Sequence, residues 1–132
     1  MSELLNTYIE QIKADLDINQ INIADVARKL PTRRHFWTAK LINHKIGINN
    51  LERKKMMLIK QVSERLQSGS PVGLETKTVT KAAEQSDEIR AINLQIADDK
   101  LIVEFLESVQ KNFFAASFDL KNVIEIMKME QL

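Results

Sequence analysis

The stretch from Arg28 to Leu66, RKLPTRRHFWTAKLINHKIGINNLERKKMMLIKQVSERL, holds most of the positive charge of this 132-residue chain. Residues 28–65 contain eleven Lys or Arg and two acids, a local charge of +9, whereas the formal net charge of the whole chain is only +1. Residues 1–27 (one base, five acids) and residues 66–132 (seven bases, eleven acids) carry −4 each. A concentrated positive field attracts polyanions, so this segregation indicates a nucleic acid or another polyanion as a partner.

The composition limits both the fold and the chemistry. At 132 residues, with 44% hydrophobic residues, the chain is expected to form one domain with a modest core. Three Gly and two Pro leave long stretches without helix breakers, which favours an all-α fold. The absence of Cys excludes disulfides, Cys-ligated zinc and thiol catalysis. The absence of Cys also fits a reducing cytoplasm. The sequence has no apolar run of about 18 residues that could span a membrane, and no signal peptide is visible at its N-terminus.

Apolar periodicity predicts four helices in the first half of the chain. Pro31 is expected to end the second one, because proline disfavours helical geometry in the residue before it, and Gly47 with Asn49 and Asn50 is expected to separate the third from the fourth. The predicted helices are residues 2–16, 23–30, 33–45 and 50–67, with a connector at 17–22. In the last of them the apolar arc is Leu51, Leu58, Ile59, Val62 and Leu66. Opposite that arc lie Arg53, Met57, Lys60 and Gln61.

The second half of the chain is predicted to be a linker followed by helices. Residues 67–84 read as a linker, or as a short β-arm near 74–80 where Thr residues alternate. Residues 85–130 read as helix with a break near 117–119, where Asp119 caps a last helix. That last helix is apolar on more than one side, which favours contact with another subunit over docking onto its own domain. The residues predicted to mediate oligomerisation are Phe113, Phe118, Leu120, Val123, Ile124 and Met127.

These patterns divide the chain by role. Residues 1–66 are predicted to form an N-terminal helical region with a basic nucleic-acid-binding face, residues 67–84 the linker or β-arm, and residues 85–132 a helical oligomerisation region. The residues predicted to bind nucleic acid are Arg33, Arg34, Lys40, Lys45, Arg53, Lys54, Lys60 and Arg65. Trp37 is a candidate for base stacking, although at least one of Phe36 and Trp37 is expected to lie in the core.

We find no catalytic constellation in the sequence, and we expect neither an enzyme nor a cofactor. The two histidines, His35 and His44, have no carboxylate at metal-ligand spacing, so no metal site is predicted. The glycines Gly69 and Gly73 lack the Lys and Ser or Thr of a phosphate-binding loop. The remaining alternative is a duplex-binding regulator with a helix-turn-helix motif at residues 24–34, although its turn would hold Pro31 and no Gly.

Two blocks of the sequence carry a recognisable pattern. The first block, residues 33–69, carries it in Phe36-Trp37, Leu41, His44, the amphipathic helix from Leu51 to Leu66, and Ser68-Gly69. The second block, residues 88–130, carries it in Ile89, Ile92, Ile96, Glu104-Phe105, Phe118, Lys121, Val123 and Glu125. In these residues the chain resembles the UvsY family of recombination mediators from tailed phages. The first block departs from the family pattern near its end. Ser63 stands where the family has a basic residue, and Lys60 could supply that charge instead. The aromatic residues that the family has before Ser-Gly are missing before Ser68.

The resemblance implies a helical, non-enzymatic protein of the cytoplasm of an infected bacterial host. It implies ring-like or open-barrel homo-oligomers of six or seven subunits, assembled through the C-terminal region. The partners it implies are single-stranded DNA, a single-stranded-DNA-binding protein, and a RecA-like recombinase whose loading onto DNA the mediator promotes. Roles in DNA recombination, repair and replication follow from that activity.

Overall fold

A computed structural model describes residues 2–17, 22–69 and 75–131. The helices are α1 (Ser2–Asp15), α2 (Ile23–Ser68), α3 (Thr76–Glu84) and α4 (Asp87–Glu130). These described ranges contain no strand, so the predicted all-α fold is confirmed. The chain forms two compact units: unit 1 comprises Met1–Asn43 and Ile102–Leu132, and unit 2 comprises His44–Leu101.

Helix α2 replaces three of the predicted helices. The expected ends at Pro31 and at Gly47 are wrong, because the helix runs without a break from Ile23 to Ser68. Pro31 lacks an N–H to donate to the carbonyl of the residue four positions earlier, which weakens one turn. Burial outweighs this local cost. An apolar series with spacings of seven, four and seven residues has members on both sides of each predicted end, and all of these side chains are buried. Its members are Leu30, Trp37, Leu41 and Ile48.

The two predictions of irregular structure in the second half are also wrong where the structure describes them. The Thr-rich stretch is helix α3, so the β-arm or linker near 74–80 is helical from Thr76 onward. Its Val79 and Ala83, four residues apart, are both buried, which explains why this short segment is helical. Helix α4 passes through 117–119 without a break, so Asp119 caps no helix. The predicted connector residues 18–21 and the linker residues 70–74 lie outside the described ranges.

The core of unit 1 combines residues from α1, α2 and α4. The buried side chains are Tyr8 and Ile12 of α1, Leu30, Trp37 and Leu41 of α2, and Ile102, Val103, Leu106, Val109, Phe113 and Leu120 of α4. Within this core, the amide nitrogen of Gln110 on α4 donates to the Thr38 hydroxyl on α2 at 2.6 Å. This hydrogen bond links the two helices.

The core of unit 2 is smaller and consists of residues from α2, α3 and α4. Its buried side chains are Ile48 and Val62 of α2, Val79 and Ala83 of α3, and Ile89, Ile92 and Ile96 of α4. Ile89, Ile92 and Ile96, spaced three and four residues apart, therefore form the side of α4 that faces this core. Ser86 caps the start of α4, since the Ile89 N–H donates to its hydroxyl at 3.4 Å.

Candidate nucleic-acid interface

The outward face of α2 in unit 2 presents three exposed cations, Arg53, Lys54 and Lys60. On a helix with 3.6 residues per turn, Arg53, Lys54 and Lys60 fall on one side, around Met57. All of them, together with Gln61, are exposed, whereas Val62 on the other side is buried. In the described parts of the chain no acidic side chain pairs with these three cations. We call Arg53, Lys54, Met57, Lys60 and Gln61 the basic face.

Ion pairs link α2 to α4 in unit 2. Arg65 donates to Glu88 Oε1 at 2.6 Å, and the Lys100 Nζ lies 3.9 Å from Glu52 Oε1. The half-buried His44 places its Nδ1 3.8 Å from Asp99 Oδ1. Residues 44–68 of α2 carry six bases and two acids, whereas residues 87–101 of α4 carry two bases and four acids. The flank cation Arg65 is thus already engaged, and the basic face keeps its positive charge.

Ser63 is half-buried. The Ser63 hydroxyl is buried and has no hydrogen-bond partner among the described residues. Lys60, three positions earlier on the helix, is exposed. Lys60 can therefore supply a surface cation in this region, which residue 63 cannot.

In unit 1, Asp15 engages one of the predicted DNA-binding residues. Asp15 Oδ2 accepts hydrogen bonds from Arg33 Nε and from Trp37 Nε1, both at 2.8 Å, and Arg33 Nη2 also lies 2.8 Å from it. A carboxylate with three donors around one oxygen is a strong, charge-assisted arrangement. The guanidinium of Arg33 is therefore neutralised within the chain, although the sequence places it in the most basic stretch.

The aromatic residues of the basic stretch form a cluster inside unit 1. Trp37 is only 1% exposed and meets Tyr8 and Phe36 edge to face, with ring centroids 5.5 and 5.1 Å away. The prediction that Trp37 stacks on bases is wrong for this reason, and the alternative of a core Trp37 is confirmed. Lys40 Nζ lies 5.2 Å from the Phe36 ring centroid. The Lys40 ammonium therefore contacts the aromatic cluster and does not extend freely into solvent. Burial raises the pKa of the Tyr8 hydroxyl, which keeps it neutral.

Two further predicted cations are exposed in separate places. Arg34 of unit 1 lines an open groove of about 760 Å³ between α2 and α4, together with Lys121, Glu125 and Lys128. Lys45 of unit 2 is exposed but has a partner within the chain. Of the predicted cations, Arg53, Lys54 and Lys60 are the ones that the structure places together on one exposed face of one unit.

The residues predicted to mediate oligomerisation divide into two groups. Phe113 and Leu120 are buried in the core of unit 1, so their assignment to contacts with another subunit is wrong. Phe118, Val123, Ile124 and Met127 are exposed, as are Ile126 and Met129 beside them. Every described residue from 121 to 131 is exposed. This end of α4 thus presents apolar side chains to solvent on all of its sides, and we call it the α4 apolar end.

The described residues hold no metal cluster and no long apolar helix. No three His, Asp or Glu side chains within those ranges come together as a metal site. None of the helices in the described chain is long and apolar enough to cross a membrane. The predicted helix-turn-helix alternative is wrong, because residues 24–34 all lie within the continuous helix α2 and contain no turn.

Sequence reasoning missed two residues that shape this surface. Asp15 stands in the last turn of α1, where the helix dipole disfavours a carboxylate, and only the fold brings Arg33 and Trp37 to it. Met56, 72% exposed, adjoins the basic face and was not singled out. The spacing offered a signal, since Met57 lies opposite the apolar arc and Met56 is its neighbour.

Comparison with known proteins identifies the fold. No protein-family model matches the chain, and no curated protein matches it in sequence. Two crystal structures of the bacteriophage T4 recombination mediator protein UvsY match it with a TM-score of 0.78 each. The lattice type IV structure is 17% identical over 96% of this chain and 98% of its own. The lattice type II structure is 15% identical over 97% and 98%. The chain has a UvsY-like fold, which confirms at the level of the fold the resemblance found in the sequence.

Proposed function

We propose that the chain is a non-enzymatic recombination mediator that binds single-stranded DNA along the basic face as a homo-oligomer. In this role it promotes the loading of a RecA-like recombinase onto DNA covered by a single-stranded-DNA-binding protein, within an infected bacterial host. The observation that carries the proposal is the group of three exposed cations on one helix face, Arg53, Lys54 and Lys60, which pair with no acid among the described residues. The likeness in fold to the T4 recombination mediator supports the biological role.

Phosphate binding by the basic face has a measurable electrostatic signature. Each Lys or Arg that neutralises a phosphate of a single strand releases counterions, so the slope of log K against log[salt] changes by about 0.7 per contact. Three contacts on each subunit therefore contribute about 2 to that slope. Binding of this type has weak sequence preference, because the phosphates are the same in every strand.

The decisive experiment is a titration of fluorescent oligo(dT) and of a duplex of equal length, over a series of salt concentrations. The variant Arg53→Gln/Lys54→Gln/Lys60→Gln should bind oligo(dT) more weakly and lose about 2 from the salt slope. The matched control, Lys77→Gln/Lys81→Gln/Arg90→Gln, removes three exposed cations of the same unit that lie off the basic face. Equal losses in both triple variants would mean that net charge, and not the basic face, binds the DNA.

The α4 apolar end supports the oligomer part of the proposal. A monomer that left Val123, Ile124 and Met127 in water would expose a contiguous apolar surface, which is rare unless it is an interaction site. Burial of this surface between copies would align several basic faces along one strand and raise affinity through effective concentration. Light scattering of a Val123→Lys/Met127→Lys variant should show a smaller mass than the parent protein; an unchanged mass would locate assembly elsewhere.

The mediator role is tested with the recombinase present. On single-stranded DNA saturated with a phage single-stranded-DNA-binding protein, the protein should shorten the lag before a RecA-like recombinase begins DNA-dependent ATP hydrolysis. The Arg53→Gln/Lys54→Gln/Lys60→Gln variant should not shorten the lag, which should stay as long as it is without the protein. A protein that binds single-stranded DNA but never shortens this lag would be a binding protein without mediator activity.

A further inference from the structure

The basic face lacks the aromatic side chains that usually contact bases in single-strand binding. Residues 44–101, which form unit 2, contain no Phe, Tyr or Trp. In unit 1, Trp37 is buried, and the ring of Phe36 has the Arg33 guanidinium 4.4 Å and the Lys40 ammonium 5.2 Å from its centroid. Stacking on an aromatic ring is therefore not available on the basic face, so any contact with bases there requires another apolar group.

Two exposed methionines occupy the place where such a group is needed. Met56 is 72% and Met57 63% exposed, although both are large apolar side chains. At 100° per residue, Arg53 and Lys60 lie between the two methionines around the helix, and Lys54 lies on the far side of Met57. Arg53 and Lys60 are two turns apart, about 10.5 Å along the axis. The thioethers therefore project among the cations that would hold a sugar-phosphate backbone.

We infer that Met56 and Met57 form a base-contact subsite for the unpaired bases of single-stranded DNA, an inference that rests on the proposed function. The thioether is polarisable and flexible, and it packs favourably against rings. With phosphates held by Arg53, Lys54 and Lys60, the bases of a single strand can turn towards the methionine side chains. Bases in a duplex cannot do so, because they are stacked and paired. The subsite thus selects for unpaired bases without reading their identity, since every base has a π-face.

An oligonucleotide without bases separates this inference from the phosphate contacts. Oligo(dT) and an abasic oligonucleotide of the same length carry the same number of phosphates, so their affinities differ only through the bases. The parent protein should bind oligo(dT) about tenfold more tightly than the abasic strand, from two thioether contacts on each subunit. Met56→Gln/Met57→Gln should remove that difference and leave affinity for the abasic strand unchanged. Gln matches Met in length and in helix propensity, so α2 is retained.

Two controls define the outcomes. Leu94→Gln polarises an exposed apolar side chain of α4 in the same unit, 68% exposed, and should leave both affinities unchanged. Met56→Leu/Met57→Leu keeps apolar groups at both positions and should retain most of the preference for oligo(dT).

Equal binding of the two oligonucleotides by the parent protein would refute the subsite while leaving phosphate binding intact. A smaller mass of the Gln variant in light scattering would identify the two methionines as a subunit contact instead. Failure to bind either oligonucleotide would refute the proposed function as well.

Discussion

Replacement of Asp15 by alanine should destabilise unit 1 more than any single change of an exposed ion pair. The change leaves the buried Trp37 Nε1–H without an acceptor, which costs about 1–3 kcal/mol. It also removes the carboxylate that faces Arg33, whose side chain is 34% exposed and can regain water, so that loss adds only about 1 kcal/mol. Removal of the carboxylate also ends its unfavourable interaction with the helix dipole in the last turn of α1, which restores up to about 0.5 kcal/mol of stability. We expect a net loss of about 2–3 kcal/mol.

Urea denaturation followed by fluorescence of Trp37, the one tryptophan of the chain, measures this loss directly. Asp15→Asn keeps an acceptor for the indole N–H and loses the charge, so it should cost about 1 kcal/mol. Glu10→Ala, which breaks the exposed Glu10–Lys13 pair of the same helix, should change stability by less than about 0.5 kcal/mol. If Asp15→Ala matched Glu10→Ala within error, the three-donor arrangement around Asp15 would not stabilise the fold.

Three further changes test other parts of the structure. Gly47→Ala should stabilise the protein by about 1 kcal/mol in urea denaturation, because Gly47 lies inside α2 and a Cβ there would meet Asp99 Oδ2 at an ordinary 3.9 Å; a loss of stability would contradict the contact distance. Ser86→Ala should cost about 1 kcal/mol in the same assay, since the cap of α4 is lost; Ser86→Thr should retain most of it. Hydrogen peroxide, which transfers one oxygen to each thioether and leaves water, should weaken oligo(dT) binding several-fold through polar sulfoxides at Met56 and Met57. A Met56→Leu/Met57→Leu protein that lost as much affinity under peroxide would place the sensitivity elsewhere.

The class of fold followed from the sequence, but the number of helices did not. Few breakers and clear apolar periodicity are enough to predict an all-α protein. Local rules for Pro31 and Gly47 predict helix ends that the structure does not have, because such rules do not include burial of the helix on either side. Leu30, Trp37 and Ile48 keep nearly the spacing of a heptad repeat across both residues, and they are all buried. Continuity of the buried spacing was the stronger signal, and it indicates one long helix.

The sequence predicts which residues form the candidate site, but it predicts only part of their arrangement in space. Arg53 and Lys60 were placed opposite the apolar arc, and the structure agrees, since both are exposed. The ion pairs of Arg33 and Arg65 could not be predicted from the sequence, because their partners Asp15 and Glu88 are 18 and 23 residues away in the chain. Side-chain pairing over such separations depends on how the helices pack, and no local pattern contains that information.

The pairing of charges changes what the basic stretch can do by itself. The sequence gives residues 28–65 a charge of +9, but the structure engages Arg33 with Asp15 and Arg65 with Glu88, and it places Lys40 over the aromatic cluster. Within the described ranges, three cations without an acidic partner remain on the basic face, so few phosphate contacts and only modest affinity would be expected from one subunit. Under the proposed function, a weak site that repeats in each subunit would suit a protein that holds a strand and then releases it to another protein. Under the proposed function, assembly through the α4 apolar end would supply the affinity, because each added basic face binds the same strand at high effective concentration.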